Sequence, residues 1–327
     1  MSNALFADNL FSEILLKPAK NGASDLYIIS GYASSAMVFH HAEKLKEQNS
    51  NININLIIGM TCRDGLSKTN HRGFQALVEK DLAGVFNCSY LINRPPVHSK
   101  VYTWIQNKKP VIAFAGSANY SQQAFIGKSQ REIATECNPV TAYDYYESLI
   151  DESIYCNHQD AEEVITLYND NRAVNSTKDA VEKETAEYST TKGLEHKKIS
   201  FINRSGEISQ KSGLNWGQRE GREPNQAYIP LKVEVYSSDF FPPIAQHFTI
   251  HTDDGKILIC TRAQENGKAI HTPHNNSLIG EYFRFRLGVA NGKLVTMVNF
   301  TAHGRTDVDF YKIDEENYFM DFTSKNS

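Results

Sequence analysis

The sequence predicts two folded parts, an α/β domain followed by an all-β domain, and three observations support this. The first part alternates segments of helical spacing with short apolar runs, as α/β layer folds do. The segment 169–196 is polar and charged, so it cannot bury a core of its own. The last part consists of short runs rich in β-branched and aromatic residues. We therefore predict domains at 1–168 and 197–327, joined by an acidic, polar linker at 169–196.

Helical and apolar segments follow one another through the first part of the chain. Asp25 opens a buried strand that ends in small residues, and Pro139 opens the last helix because proline is tolerated in a first turn. In chain order we predict a helix at 5–16, a strand at 25–34, a helix at 36–48, strands at 52–59, 85–92, 98–104, 111–115 and 132–137, and a helix at 141–150.

Six short runs follow the linker, separated by Gly, Asn, Asp and Pro turns, and together they predict a barrel or sandwich. Arg284 and Arg286 share one face of a predicted strand, where they either contact phosphate or form a solvated face. Arg305 has the same two interpretations. The six predicted strands are Ile199–Ile202, Ala227–Val235, His247–Thr252, Lys256–Thr261, Glu281–Val289 and Leu294–Phe300.

Composition excludes several classes of protein. Apolar residues make up 40% and charged residues 22%, as in ordinary globular domains. No apolar run reaches the length of about 18 residues that a membrane helix needs, and the opening MSNALFADNLF does not resemble a signal peptide. The five cysteines form no C-x-x-C pair, which argues against a disulfide framework and against a cysteine zinc site. We expect a cytoplasmic protein with no membrane partner.

The net charge of −4 is unevenly distributed along the chain. Residues 141–192 hold 12 acidic and 4 basic residues, and this segment accounts for the whole excess of acid. Two mildly basic surfaces therefore flank an acidic segment. The overall charge does not exclude a polyanionic partner.

The local signal that points to chemistry is PPVHSKVYTWIQNKKPVIAFAGSANYSQQAF. His98 and Lys100 are two residues apart on a predicted strand, and Ser117 and Asn119 repeat this spacing, so each pair shares one face. An imidazole beside an ammonium, with a hydroxyl and an amide nearby, offers a nucleophile and donors for phosphodiester oxygens. Glu132 could accept the other imidazole N–H and fix its tautomer.

A purely structural interpretation is also open: His98 as a strand-end histidine, Lys100 as a solvated charge and G-S-A-N as a turn. The full combination of H-x-K, G-S-x-N and a following Glu is much rarer by chance than any part of it. We therefore interpret the five residues together. The sequence contains no H-E-x-x-H, no phosphate-binding G-x-x-x-x-G-K-[ST] and no paired histidine ligands, since His40 and His41 are adjacent on a helix. His71 is read as a surface loop residue.

This stretch resembles the phospholipase D superfamily, with its H-x-K and G-S-x-N motifs. His98, Lys100, Gly116, Ser117 and Asn119 stand at matching positions, while Ile105 stands where the motif has Asp. The whole chain looks like the NgoFVII-type restriction endonucleases, which are similar to the metal-independent BfiI-like enzymes. The resemblance implies a type II-like restriction endonuclease that hydrolyses double-stranded DNA at or near a specific sequence, without metal or other cofactor.

The resemblance also implies a mechanism and partners. Phospholipase D chemistry uses two histidines, whereas the first part of this chain has one H-x-K, so a homodimer would share one active site. His98 of one subunit would form a phosphohistidine, and its twin would protonate the leaving oxygen. A cognate DNA methyltransferase would be the genetic partner within a restriction-modification system, and relatives can work with a separate ATPase or helicase-like subunit.

Two polar segments of the last part concentrate side chains that read bases. The first is also consistent with an ordinary polar loop covering a core Trp216. Two such arms on one barrel resemble the DNA-binding pseudobarrel of plant B3 transcription factors. The arm residues are Lys211, Asn215, Trp216, Gln218, Arg219, Arg222, Asn225 and Gln226 in the first, and Lys268, His271, His274, Asn275 and Asn276 in the second.

Two other functions compete with the nuclease. One is a phospholipase D superfamily phosphodiesterase that acts on lipid or on damaged nucleic acid ends, with a merely structural barrel. The other is a non-catalytic DNA-binding regulator, in which His98 and Lys100 would be scaffold residues.

Overall fold

The structure is a computed structural model that describes residues 4–127, 130–168, 191, 193–203, 205–273 and 275–324 of the 327-residue chain. The chain divides into two compact units, Met1–Ala173 and Val174–Ser327. Most of the predicted linker lies outside the described residues, and a strand already begins at Glu195. No helix in the described part of the chain has both the length and the apolarity to cross a membrane.

The first unit is built on an eight-stranded sheet in the order β1-β8-β7-β6-β2-β3-β5-β9, and β4 and β10 form a separate parallel pair. In chain order the strands are β1 (Leu5–Phe6), β2 (Asp25–Ser30), β3 (Asn53–Ile58), β4 (Leu66–Ser67), β5 (Phe86–Leu91), β6 (Lys100–Gln106), β7 (Lys109–Gly116), β8 (Ala134–Cys137), β9 (Ser153–Tyr155) and β10 (Leu167–Tyr168).

Helices cover this sheet, and their ends follow local capping chemistry. The Ser34 hydroxyl accepts a hydrogen bond from the Met37 amide at the start of α2, and Asn138 accepts from Thr141 at the start of α6. The helices are α1 (Lys17–Lys20), α2 (Ser35–Glu47), α3 (Thr61–Asp64), α4 (Lys68–Ala76), α5 (Gln122–Phe125), α6 (Pro139–Ile150) and α7 (Ala161–Val164), with π-helical turns at Phe11–Leu16 and Leu77–Asp81.

Strand direction determines which residues meet at each edge of the sheet. β2, β3 and β5 are parallel, β6 is antiparallel to β2, and β7 is antiparallel to both β6 and β8. Lys100 is registered opposite Gly116, and Gly116 opposite Ala134. The ends of β2, β3 and β7 and the starts of β6 and β8 therefore lie along one edge.

The second unit contains a seven-stranded sheet in the order β11-β16-β17-β13-β14-β15-β12, which forms a nearly closed barrel. Its strands are β11 (Glu195–Ser200), β12 (Ile229–Pro230), β13 (His247–Thr252), β14 (Ile257–Ala263), β15 (Ala269–His271), β16 (Asp307–Lys312) and β17 (Asn317–Asp321). Its helices are α8 (Val233–Tyr236), α9 (Ser277–Arg286) and α10 (Met297–His303), with 3₁₀ turns at Gly213–Gln218 and Glu265–Gly267.

Two of the six predicted strands were wrong, because α9 and α10 occupy those segments. On α9, Ile279, Phe283 and Leu287 are buried at helical spacing. The interpretation of Arg284 and Arg286 as residues of one strand face is therefore also wrong. Arg284 is fully buried, and Arg286 forms an ion pair of 2.6 Å with Asp253.

Candidate functional site

His98 and Lys100 stand at the edge where β6 begins. His98 is exposed, whereas Lys100 is only 5% exposed. The Lys100 ammonium donates to the backbone carbonyl of His98 over 2.6 Å, and its Nζ lies 3.1 Å from His98 Nε2. The backbone carbonyl of His98 therefore fixes the position of the Lys100 ammonium, and this ammonium lies next to the His98 imidazole.

The end of β7 brings Ser117 and Asn119 to this edge. Tyr102 of β6 donates to the Ala118 carbonyl over 2.7 Å and so ties the G-S-x-N turn to the strand that carries Lys100. Gly116 is required by close packing, since a Cβ there would lie 2.1 Å from the Ile133 carbonyl oxygen. The pairing of H-x-K with G-S-x-N on adjacent strands is as the sequence predicts.

Glu132 lies just before β8, and the structure gives it a different partner from the predicted one. Its carboxylate accepts a hydrogen bond from the Ser117 hydroxyl and another, of 2.9 Å, from Gln130. Ser117 in turn accepts from the Ile133 amide over 3.1 Å. We expected Glu132 to pair with the His98 imidazole. Within one chain it pairs with Ser117 instead and orients that hydroxyl.

The electrostatics of the edge depend on Lys100. Burial lowers the pKa of Lys100, and the negative charge of Glu132 partly opposes this shift. A buried ammonium without a carboxylate in direct contact is able to attract an anion more strongly than a solvated one, because the surrounding dielectric constant is low. The arrangement can therefore attract a phosphate group to the neighbourhood of the His98 imidazole.

Ile105 occupies the motif position of Asp and lies in the core at the far end of β6. Five residues of strand separate it from Lys100, about 16 Å at the usual rise per residue. A side chain at that position does not reach the edge that carries His98. The presence of Ile105 in place of the motif Asp therefore removes no functional group from this site.

Tyr32, Asp64 and Gly31 belong to the same edge, and the sequence analysis missed them. The Tyr32 ring packs edge-on against His98, and its hydroxyl donates to Asp64 over 2.5 Å. A Cβ at Gly31 would lie 3.0 Å from His98 Cδ2. The sequence signal for Gly31 and Tyr32 was the group of small residues at the end of β2. Antiparallel pairing of β2 with β6 brings this end beside His98.

Three other histidines of the first unit, His40, His41 and His71, are buried, whereas His158 is exposed. His71 lies in helix α4, with Nδ1 3.0 Å from the Tyr90 hydroxyl, so its interpretation as a surface loop residue was wrong. His41 contacts the Tyr120 hydroxyl and the Leu15 carbonyl, each over 2.8 Å. Across the described residues no three His, Cys, Asp or Glu side chains are grouped so as to hold a metal ion.

A second H-x-K occurs in the second unit, at His196 and Lys198 of β11. Both side chains lie near Asp309, with His196 Nε2 at 2.8 Å and Lys198 Nζ at 3.9 Å from its carboxylate. The imidazole also stacks on Tyr311. This pair takes part in the ion-pair network of the barrel.

The first arm contains both scaffold and surface residues. Asn215 is completely buried, and its side chain bonds to the Ser209 carbonyl and to both the amide and the carbonyl of Val295. Asn225 is also buried and accepts from the Gly292 amide over 2.6 Å. These two amides maintain the fold, and neither is free to contact a base in this structure. Gln218 is half-buried and donates to the Pro224 carbonyl.

The exposed side of the first arm is formed by Lys211, Arg219 and Arg222. The Arg219 side chain donates to the Lys211 carbonyl over 2.7 Å. Arg222 lies over the half-buried Trp216 ring and donates to Gln226 over 3.1 Å. Two guanidinium groups and one aromatic ring are thus held in place on this loop.

The second arm follows β15. His271 Nδ1 lies 2.7 Å from Asn276 Oδ1, and Asn275 and Lys268 are exposed, with Lys268 near Glu265 at 3.8 Å. His274 lies outside the described residues. The Asn276 carbonyl accepts from the Ala227 amide over 3.0 Å, and since β12 pairs with β15, the two arms lie side by side.

Arg284 holds the first arm from inside the barrel. Its guanidinium donates to five backbone carbonyls over 2.9–3.4 Å, those of Leu214, Pro224, Asn225, Gly280 and Lys293. Such donors satisfy carbonyls that a buried loop would otherwise leave without a partner. Neither of the two interpretations of Arg284, a phosphate contact or a solvated face, holds, because the side chain is buried and has this internal role.

Two models of one family match the chain. The NgoFVII restriction endonuclease N-terminal PLD domain matches residues 8–163, and the NgoFVII C-terminal B3-like DNA-binding domain matches residues 189–314. None of the curated proteins matches the chain.

Three solved structures are similar in fold to about half of the chain. NucT from Helicobacter pylori has 17% identity and a TM-score of 0.32, over 47% of this chain and 98% of its own. Nuc from Salmonella typhimurium, a phospholipase D family member, has 13% identity and a TM-score of 0.34, over 47% and 97%. Polyphosphate kinase from Porphyromonas gingivalis has 12% identity and a TM-score of 0.32, over 48% and 25%.

Proposed function

Because the chain belongs to the NgoFVII restriction endonuclease family and is a site-specific DNA nuclease, we propose that it cleaves DNA through a phosphohistidine at His98, without a metal ion, as a dimer that shares one active site. The observation that carries this proposal is the 3.1 Å separation of His98 Nε2 and Lys100 Nζ at an exposed sheet edge. We further propose that residues 1–168 cut and residues 197–327 read the sequence.

In the first step, His98 Nε2 attacks phosphorus, a P–N bond forms and the bond to the leaving oxygen breaks. Lys100 supplies a positive charge to the phosphoryl oxygens, and the Asn119 side-chain amide supplies a hydrogen-bond donor. The Ser117 hydroxyl becomes a donor to the phosphate when the phosphate replaces Glu132 as its acceptor. Glu132 holds the Ser117 hydroxyl in place. Lys100 thereby provides the charge compensation that a metal ion gives in other nucleases.

The leaving oxygen needs a proton, and this requirement supports the dimer. Lys100 already bonds the His98 carbonyl, and the phenol of Tyr32 already donates to Asp64. His98 of the partner subunit would give the proton, and in the second step it would take one from the water that breaks the P–N bond. An imidazole titrates near neutral pH and suits both transfers.

The arms would bind the duplex and select the site. Lys211, Arg219 and Arg222 are exposed and positively charged, so they suit either phosphate or guanine. The second arm adds Lys268, Asn275 and the His271–Asn276 pair beside them. We propose that this surface recognises double-stranded DNA by its sequence, together with the half-buried Trp216, Gln218 and Gln226.

The partners that we propose follow from the family. A cytoplasmic restriction enzyme needs a cognate DNA methyltransferase, since its own genome would otherwise be cut. A separate ATPase or helicase-like subunit is a second proposed partner. Both are tested by co-purification with the full chain from cells that carry the neighbouring genes.

The principal test is cleavage of plasmid DNA in EDTA by the purified full chain, with and without an ATPase partner. We expect discrete fragments with the wild-type protein and none with His98→Ala, which should still bind DNA. The control is His158→Ala, because His158 is an exposed histidine of the same unit. Absence of any cleavage in EDTA under both conditions would contradict the metal-independent mechanism.

The shared site is tested by mixing subunits. If two copies of His98 are needed, equal amounts of wild-type and His98→Ala chains should retain about a quarter of the wild-type rate after exchange, as expected for a two-fold dimer. Retention of one half would mean that each chain acts alone. Quenching a single turnover with denaturant at alkaline pH should leave labelled DNA attached to the wild-type protein by a bond that acid then breaks, and none attached to His98→Ala.

A further inference from the structure

Tyr32 stands directly beside the proposed nucleophile. It follows β2 by two residues, and its ring meets the His98 imidazole edge-on, with centroids 5.9 Å apart and planes at 78°. This is the edge-to-face arrangement that aromatic rings prefer. Tyr32 is 43% exposed, so it forms the wall of an open site.

The hydroxyl of Tyr32 is held at its far end. It donates to Asp64 Oδ2 over 2.5 Å, and Asp64 is the last residue of α3. Burial, followed by the hydrogen bond to Asp64, raises the pKa of Tyr32 to about 12. The phenol therefore keeps its proton through the neutral range and stays a donor to Asp64.

The backbone of the same segment contacts the other side of the site. The Tyr32 amide donates to Asn119 Oδ1 over 3.2 Å. Gly31 leaves so little space that a Cβ would lie 3.0 Å from His98 Cδ2. Two consecutive residues thus contact both the imidazole and the amide of the G-S-x-N turn.

We propose that Tyr32, anchored by Asp64, is a positioning residue that fixes the imidazole plane of His98. The inference rests on the proposed function and extends it to a residue outside the family motifs. An exposed side chain changes rotamer within nanoseconds unless a neighbour restrains it. The ring of Tyr32 restricts that rotation and keeps Nε2 beside the Lys100 ammonium.

The test separates the ring from its hydroxyl. Single-turnover cleavage at saturating DNA should fall about 10- to 100-fold in Tyr32→Ala, because misplacing a reacting atom by about 1 Å costs that much. Tyr32→Phe keeps the ring and loses the anchor, and we expect a smaller loss of about 3-fold. Asp64→Ala should resemble Tyr32→Phe, and the double variant should lose no more than either single one, because both changes break one contact.

Two further measurements distinguish positioning from a structural role or a DNA contact. The Kd for cognate DNA should change less than about 2-fold, and the Tm by less than about 2 °C, since Tyr32 is 43% exposed and lies outside the buried core. The ¹⁵N shifts of the His98 imidazole should show more rotational averaging in Tyr32→Ala. The control is Tyr155→Ala, which removes an exposed tyrosine from β9 of the same unit.

The outcomes distinguish this inference from the proposed function. If His98→Ala is inactive while Tyr32→Ala and Tyr32→Phe cut at the wild-type rate, the positioning role is overturned and the phosphohistidine mechanism stands. If Tyr32→Ala weakens DNA binding but keeps the rate at saturation, Tyr32 is a DNA contact and the inference is also overturned. If His98→Ala cuts at the wild-type rate, the proposed mechanism and this inference are overturned together.

Discussion

The guanidinium carbon of Arg222 lies 3.7 Å from the centroid of the Trp216 ring. The same guanidinium donates to Gln226, while the Trp216 ring meets Tyr228 edge-on at 5.7 Å. A cation stacked on an aromatic face keeps its planar donors in a fixed orientation. An exposed arginine of this kind is suited to a bidentate contact with guanine.

We predict that Arg222→Ala lowers the preference for the cognate sequence over a single-mismatch site by about 1 to 3 kcal/mol, the value of one bidentate base contact. The measurement is competition binding with labelled duplexes at fixed salt. Lys256→Ala is the control, since Lys256 is exposed on the turn between β13 and β14. An equal loss of affinity for cognate and random DNA would make Arg222 a phosphate contact.

We predict that the charge of Lys100 sets the alkaline limit of cleavage. Burial lowers its pKa, so the ammonium loses its proton at a lower pH than an ordinary lysine, and the rate should fall there. Glu132 opposes this shift, so Glu132→Gln should move the alkaline limb to lower pH. Lys100→Arg should move it to higher pH at a reduced maximal rate, because arginine does not deprotonate in this range.

The measurement for Lys100 is the single-turnover rate as a function of pH. Glu136→Gln provides the matched control, since Glu136 is an exposed carboxylate on β8. If Glu132→Gln leaves the alkaline limb at the same pH, or moves it to a higher pH, the electrostatic link between Glu132 and Lys100 is contradicted.

Two glycine substitutions should have opposite effects: one should lower the cleavage rate, and the other should lower the stability of the first unit. At Gly31 an added Cβ meets the exposed His98 ring at 3.0 Å, so Gly31→Ala should lower the cleavage rate about 10-fold and leave stability nearly unchanged. At Gly116 it meets the Ile133 carbonyl oxygen at 2.1 Å, so Gly116→Ala should destabilise the first unit by about 1 to 3 kcal/mol. Thermal unfolding and single-turnover rates of both variants check this, and identical profiles would refute it.

We predict that Asn215→Ala destabilises the second unit by about 2 to 4 kcal/mol, because buried backbone groups of Ser209 and Val295 lose their partners. Urea unfolding measures the change, and Gln210→Ala, at an exposed position, is the control. A stable Asn215→Ala protein with altered sequence preference would instead restore Asn215 as a base-reading residue.

The first unit should lose stability below neutral pH. Burial lowers the pKa of His41 to about 4, from an ordinary value near 6.5. The unfolded chain therefore takes up a proton first as the pH falls, and His41 alone should cost about 2 kcal/mol between pH 7 and pH 5. His41→Gln should be less stable at pH 7 but should lose less on acidification.

Tryptophan fluorescence measures this acid effect in the first unit. Trp104 is fully buried there, and Trp216→Phe removes the second of the two tryptophans. Equal losses on acidification in the His41→Gln and wild-type backgrounds would show that other groups carry the effect.

Much of the first unit followed from periodicity. The strands β3, β5 and β7 and the helices α2 and α6 lie where apolar spacing and capping residues predicted them. The juxtaposition of the two motifs was also predictable, because the start of an H-x-K strand lies beside the end of an antiparallel G-S-x-N strand. The partner of Glu132 was not predictable from the sequence, because this partner depends on how the chain between Asn119 and Glu132 folds back.

Helix α9 shows why part of the second unit was misread. The run from Phe283 to Arg286 alternates aromatic and charged residues, which predicts a strand if each arginine is assumed to face solvent. Arg284 instead lies inside the barrel, fully buried, because loop carbonyls there need donors. For α10, the capping box formed by Thr296 and Asn299 was a helix signal that β propensity outweighed in our reading.

The five carbonyl bonds of Arg284 have a thermodynamic consequence for recognition. A loop that is tied down before its target arrives loses little conformational entropy on docking, unlike segments that fold upon binding. Calorimetry of the barrel with its target should therefore give a heat-capacity change no larger than the apolar contact area requires. Without the Arg284 side chain, the first arm would no longer be preformed and would have to become ordered each time it binds DNA.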